Sequence, residues 1–116
     1  MEIKRNGGNG RRSLSVEYNG LLYTSGITTT DLEADITGQC EDVFGVIDHI
    51  LGRHGIDKNR ILTVNVTLAD MKDYGEFNAA WDAWIIDGNE PVRSVIEGKL
   101  AVPEYRIKVA VTAALK

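Results

Sequence analysis

The sequence predicts an α+β fold: a two-layer domain in which two helices cover one face of a mixed sheet, in the order β-β-α-β-α-β-β. Three observations predict it. Asn19-Gly20 separates two short runs rich in Val, Leu and Tyr, the strongest local signal for a hairpin. Apolar residues recur at spacings of three and four in two stretches, 36–51 and 77–85, as amphipathic helices require. The runs RILTVNVTLAD and RIKVAVTAAL alternate instead, with the period of two of a half-covered strand.

Taken in order, NGGNG at 6–10 has no period, and residues 1–11 read as a flexible arm on a single domain spanning 1–116. Strands are expected at about 13–18 and 21–25, followed by a polar loop from Thr28 to Asp31. Asp35 suits the N-cap of the first helix, whose apolar stripe is Ile36, Cys40, Val43, Phe44, Ile47, Ile50 and Leu51. Arg53 and His54 suit the negative end of its dipole, and Gly55 the left-handed residue that stops it. In the next strand Leu62, Val64, Val66 and Leu68 are expected on one face, Thr63, Asn65 and Thr67 on the other.

The second helix opens at Asp73, where Asp73 and Glu76 have capping-box spacing, and its buried face is Phe77, Ala80, Trp81, Trp84 and Ile85. Gly88-Asn89-Glu90-Pro91 ends it, and two strands follow at 92–99 and 105–115 around a loop at Pro103. Both helices bury their stripes on one sheet face. The other face carries Thr63, Asn65, Thr67, Ala110, Thr112 and Ala114, too bland for full solvation, so self-association sheet against sheet is expected.

The 116 residues suffice for one core without disulfides or metal, and the lone Cys40 excludes an internal disulfide framework. A net charge of −4 argues against a nucleic-acid partner, which needs clustered basic surface. No apolar run is long enough for a membrane span, and the first residues lack the apolar segment of a signal peptide. A cytoplasmic protein with neither a membrane nor a nucleic-acid partner is the expectation.

The usual catalytic arrangements are missing. Cys40 lies on the apolar stripe of the first helix, where a small buried hydrophobe is expected rather than a nucleophile. His49 and His54 do not share a helical face and have no thiolate or carboxylate companions at ligand spacing, so no metal is expected. The glycines at 7–10 precede a strand rather than open a helix, unlike a phosphate cradle. Trp81 and Trp84 read as core.

Arg93, in EPVRSVIEG at 90–98, stands apart. Alternation places Arg93, Val95 and Glu97 on one strand face, and that face is expected to be the bland, self-associating one. A guanidinium there awaits an anion, its planar fork matching a carboxylate; otherwise it is solvated or pairs with Glu97. The strand alone leaves both readings open.

Four stretches resemble the RidA/YjgF family of reactive-intermediate (imine and enamine) deaminases: LLYTSG at 21–26, DYGEFNAAWDAW at 73–84, PVRS at 91–94 and RIKVAVTAAL at 106–115. The similarity runs from about Arg12 onward. It implies a chorismate-mutase-like (bacillus-type) fold and a homotrimer whose sheets line a central barrel, with clefts between subunits. It also implies cofactor-free hydrolysis of 2-iminopropanoate, the tautomer of 2-aminoacrylate, to a 2-keto acid and ammonia. On the resemblance, Arg93 holds the substrate carboxylate, which favours the anion reading. Asn78 and Ser25, followed by Gly26, match positions near the cleft; in a deaminase, backbone carbonyls, Ser25 or Glu97 would orient water.

The chain departs from the family pattern at informative places. The last-strand glutamate thought to position water is matched by Lys108, and an ammonium cannot accept water's proton. The frequent cysteine two residues after the arginine is Val95, the glutamine after Ser-Gly is Ile27, and Arg12-Ser13 stand near the usual N-terminal tyrosine. Three functions follow: an imine or enamine deaminase; a non-catalytic trimer binding a small carboxylate or 2-oxo acid in a pocket made dicationic by Arg93 and Lys108; or a related hydrolase of another enamine. The endoribonuclease and translation-inhibitor labels attached to the family gain nothing from the acidic balance.

Overall fold

In the computed structural model, which describes residues 1–116, the chain begins with a strand rather than a flexible arm: β1, Lys4–Asn6, lies antiparallel to β2, Ser15–Tyr18. The glycines that suggested mobility instead make the connection. Gly7 takes φ +65°, and a Cβ there would meet Leu14 Cβ at 2.8 Å, so only glycine lets the chain turn this closely. Asn6 Nδ2 then reaches Glu17 Oε2 at 3.1 Å and tethers the edge.

The expected hairpin joins β2 to β3, Leu21–Thr24. Asn19 and Gly20 both take positive φ, 54° and 77°, which matches the twist of the flanking strands. Helix α1, Ile36–Arg53, starts where Asp35 accepts the Gly38 N–H at 2.8 Å. It stops at Gly55, φ +73°, with Ile56 N donating back to Leu51 O. The expected stripe is buried, and Gln39 is buried with it.

Strand β4, Ile61–Leu68, departs from strict alternation. A register shift between Ile61 and Thr63 turns Leu62 outward, 46% exposed, and Ile61 takes its place in the core beside Val64, Val66 and Leu68. Helix α2, Tyr74–Trp84, crosses back so that β5, Val92–Glu97, lies parallel to β4 at the sheet edge. Strand β6, Ile107–Ala114, completes the order β1-β2-β3-β6-β4-β5. Beyond β3 the chain leaves the ladder at Ser25-Gly26 and rejoins it at Ile27, which exchanges both backbone hydrogen bonds with Val109.

Both helices cover one face, over a core of Leu22, Ile47, Phe77, Val109 and their neighbours. The fold is therefore the expected α+β mixed sheet with an additional edge strand. The other face lacks a covering layer, and Tyr23, Val92 and Ile96 stand 42%, 70% and 60% exposed. No helix is long and apolar enough to cross a membrane.

Candidate functional site

Arg93 projects toward the helices rather than the open face. It stands opposite Val64 in the β4–β5 ladder, and Val64 is a core residue, so Arg93, Val95 and Glu97 share the helix side of the sheet. Thr63, Asn65 and Thr67 set the opposite parity. The expectation that Arg93 lay on the bland face is therefore corrected: β5 is an edge strand paired in parallel, and its register followed β4 rather than any pattern visible in β5 alone.

The guanidinium is held on three sides. Arg93 Nη2 donates to Asn78 Oδ1 at 2.8 Å and to the Tyr74 hydroxyl at 3.3 Å. Its carbon lies 5.3 Å from the Phe77 ring centroid and 5.1 Å from that of Trp81, within cation–π range. None of these groups is an acid. Arg106 pairs with Asp73 and His54 Nδ1 lies 3.5 Å from Glu17 Oε2, and Arg93 has no carboxylate partner. Glu97, the acid four residues along on the same face, accepts the Met71 N–H at 2.8 Å instead.

Beside the guanidinium runs an open groove of about 360 Å³ lined by Met71, Tyr74, Arg93 and Val95. Its wall at the start of α2 is set by Asp73. That carboxylate makes no capping bond; it is buried and takes a bidentate contact from Arg106, 3.1 Å to Nε and 2.8 Å to Nη2. The capping-box reading of Asp73 and Glu76 thus fails because an ion pair claims the oxygen atoms. The pairing holds the Arg106 charge above even arginine's ordinary range. Gln39, from α1, accepts the Arg106 N–H at 2.9 Å and donates to Glu104 O, joining this corner to the core.

The remaining sequence-predicted residues gather elsewhere. Lys108 stands opposite Thr67 on the open face, and its stem lies across Gly26, where a Cβ would meet Lys108 Cδ at 2.7 Å. Ser25 adjoins them at the break in the β3–β6 ladder, bonded by its N–H to Leu14 O. Arg93 and Asn78 therefore form one cluster, and Lys108, Gly26 and Ser25 another, across the thickness of the sheet. The pocket made dicationic by Arg93 and Lys108 does not form within one chain.

Tyr74, Met71 and the Phe77–Trp81 platform were not anticipated as site residues. Tyr74 precedes Asn78 by four positions, which puts both on one helical face; that spacing was the available signal. Burial pushes the Cys40 thiol up to about 12, so it is no nucleophile. No three His, Cys, Asp or Glu side chains gather in a metal-holding group.

A protein-family model described as endoribonuclease L-PSP matches residues 8–115. A RutC family protein of Haemophilus ducreyi is 42% identical over 98 residues, covering 84% of each chain. The RutC family protein YoaB of Escherichia coli is 35% identical over 115 residues, 99% of this chain and 100% of its own. A YjgF-family protein of Neisseria meningitidis has a crystal structure that superposes with a TM-score of 0.93 at 37% identity, covering 98% of this chain and 95% of its own.

Proposed function

This chain belongs to the RidA/YjgF family, the endoribonuclease L-PSP family of its matching model, and on that premise we propose that it hydrolyses small reactive imines and enamines of the 2-iminopropanoate type. The observation that carries the reading is Arg93: a half-buried guanidinium, aimed by Asn78 and Tyr74 over two aromatic rings, with no acid of its own chain to neutralise it. Such a group suits a ligand carboxylate, because the fork is already ordered and the missing partner is an anion.

With the carboxylate held, the imine carbon is positioned for water. The water oxygen bonds to that carbon and a proton goes to nitrogen; the carbinolamine then expels ammonia as C=O forms, leaving a 2-keto acid. An activated C=N needs mainly orientation, so no cofactor is required by this scheme. Ser25, Gly26 and Lys108 would belong to the site through a second copy of the chain, which fits a homotrimer with its open sheet faces turned inward. The exposed Tyr23, Val92 and Ile96 on the open sheet face support that assembly, since large apolar side chains left in water there would be covered by it.

A second reading, a carboxylate-binding module without catalysis, is favoured by the commitment of Glu97 to Met71 N and by Lys108 in the glutamate position. One experiment separates them: generate 2-aminoacrylate in situ and follow keto-acid release with wild type and with Arg93→Ala. Release accelerated by wild type alone supports the hydrolase. Equal background rates with retained 2-oxo acid binding favour the module, and loss of both in wild type overturns the assignment of Arg93.

A further inference from the structure

We propose that the groove beside Arg93 selects substrates whose side chain is apolar and longer than a methyl group, and that Met71 sets this preference; the inference rests on Arg93 binding the substrate carboxylate. The lining residues other than Arg93 are Met71, Val95 and Tyr74, whose hydroxyl is turned toward the guanidinium. At about 360 Å³ the groove lies in the range that holds ligands larger than a three-carbon acid.

Its walls are positioned rather than loose. The Met71 N–H donates to Glu97 Oε1 at 2.8 Å, and one residue away Asp70 Oδ1 accepts the Lys72 N–H at 2.8 Å, so the backbone carrying the thioether is held from both sides. The Glu97 carboxylate is turned to this contact and forms no salt bridge with Arg93. A substrate anchored on Arg93 therefore extends its tail along Met71 and Val95. An apolar tail is favoured there by contact and desolvation. Methionine, unbranched and polarisable, adapts to tails of different shape.

The test compares imines made in situ by oxidising alanine and leucine, and in parallel the affinities of pyruvate and 4-methyl-2-oxopentanoate. Wild type should favour the leucine-derived imine over the alanine-derived one by about tenfold in kcat/KM, the scale of added apolar groups in a binding site. Affinity should be higher for 4-methyl-2-oxopentanoate than for pyruvate. Met71→Ala should pull the tenfold ratio toward one and Met71→Leu should keep it; thermal melting checks that both variants fold.

A ratio near one in wild type, or a ratio unmoved in folded Met71→Ala, overturns the proposal while leaving imine hydrolysis standing. Selective binding without turnover upholds the subsite and removes the hydrolase. Neither binding nor turnover of any of these compounds overturns both.

Discussion

Asn78 on α2 accepts a 2.8 Å hydrogen bond from Arg93 Nη2 on β5, and the same guanidinium lies 5.1 Å from the ring of Trp81, three residues further along the helix. One helix thus supplies both the acceptor that aims the cation and the ring that supports it. The contact is neutral, so it orients Arg93 without neutralising it.

Asn78→Asp tests that distinction. The substitution adds a carboxylate at the position of the amide oxygen, giving Arg93 an internal counter-ion that competes with any ligand. Affinity for 4-methyl-2-oxopentanoate should fall at least about tenfold, because hydrogen bonds to charged groups contribute roughly 1.5–3 kcal/mol. Titration calorimetry measures it, and unchanged affinity would show that Asn78 does not orient the binding group.

Arg93→Ala should weaken the same ligand by about 2–5 kcal/mol, the scale for truncating one partner of a close charged contact. The melting temperature should change little, since the guanidinium is half-buried and meets no charge in the free protein. A variant that binds as well as wild type would move the anion site elsewhere.

Asp73→Ala should destabilise the fold by roughly 2–3 kcal/mol. Breaking a buried pair costs about 3–5 kcal/mol, and the partial exposure of Arg106, 35%, calls for a discount through solvent screening. Urea unfolding gives the value. Because Asp73 opens α2 next to Tyr74, the variant should also lose ligand affinity; a loss of stability below about 0.5 kcal/mol would mean the pair is incidental.

Asp42 gives a pH dependence with a definite sign. Its carboxylate accepts the Thr30 N–H and the Thr29 and Thr30 hydroxyls, which hold its pKa below the ordinary 3.8. A depressed folded-state pKa adds stability above 3.8 that disappears as pH falls through the lower, folded value. Wild type should therefore exceed Asp42→Asn in melting temperature at pH 6, with the gap closing below pH 3.8. A gap that stays constant down to pH 2 would remove Asp42 from the acid response.

Lys108→Glu returns a carboxylate to the last strand. If a second copy brings this position to the cleft, imine hydrolysis should rise toward the roughly 10²-fold that a positioned general base contributes. Light scattering on the same samples reports the assembly. Unchanged turnover in a trimer would show that a last-strand carboxylate is dispensable here, and a stable monomer would remove the intersubunit site altogether.

Much of this architecture was determined by the sequence alone. The Asn-Gly hairpin, the Asp35 cap, the Gly55 stop and the two apolar stripes are local devices: each depends on backbone conformation or on spacing within one element, and each can be read from residues a few positions apart. The family followed from four such strings, and Arg93 and Asn78 were named from two of them.

Tertiary structure decided the rest, because it depends on pairing between distant segments. The parallel register of β5 on β4 turned Arg93 to the helix side and left Lys108 on the other. The shift at Leu62 needed β6 to define it, and Asp73 gave up its capping role only because Arg106, 33 residues away, reaches its carboxylate. The arm became a strand because β2 offered an unpaired edge and Gly7 could make the turn. Side-chain alternation says that two faces exist; only the hydrogen-bonded neighbour says which one each residue occupies.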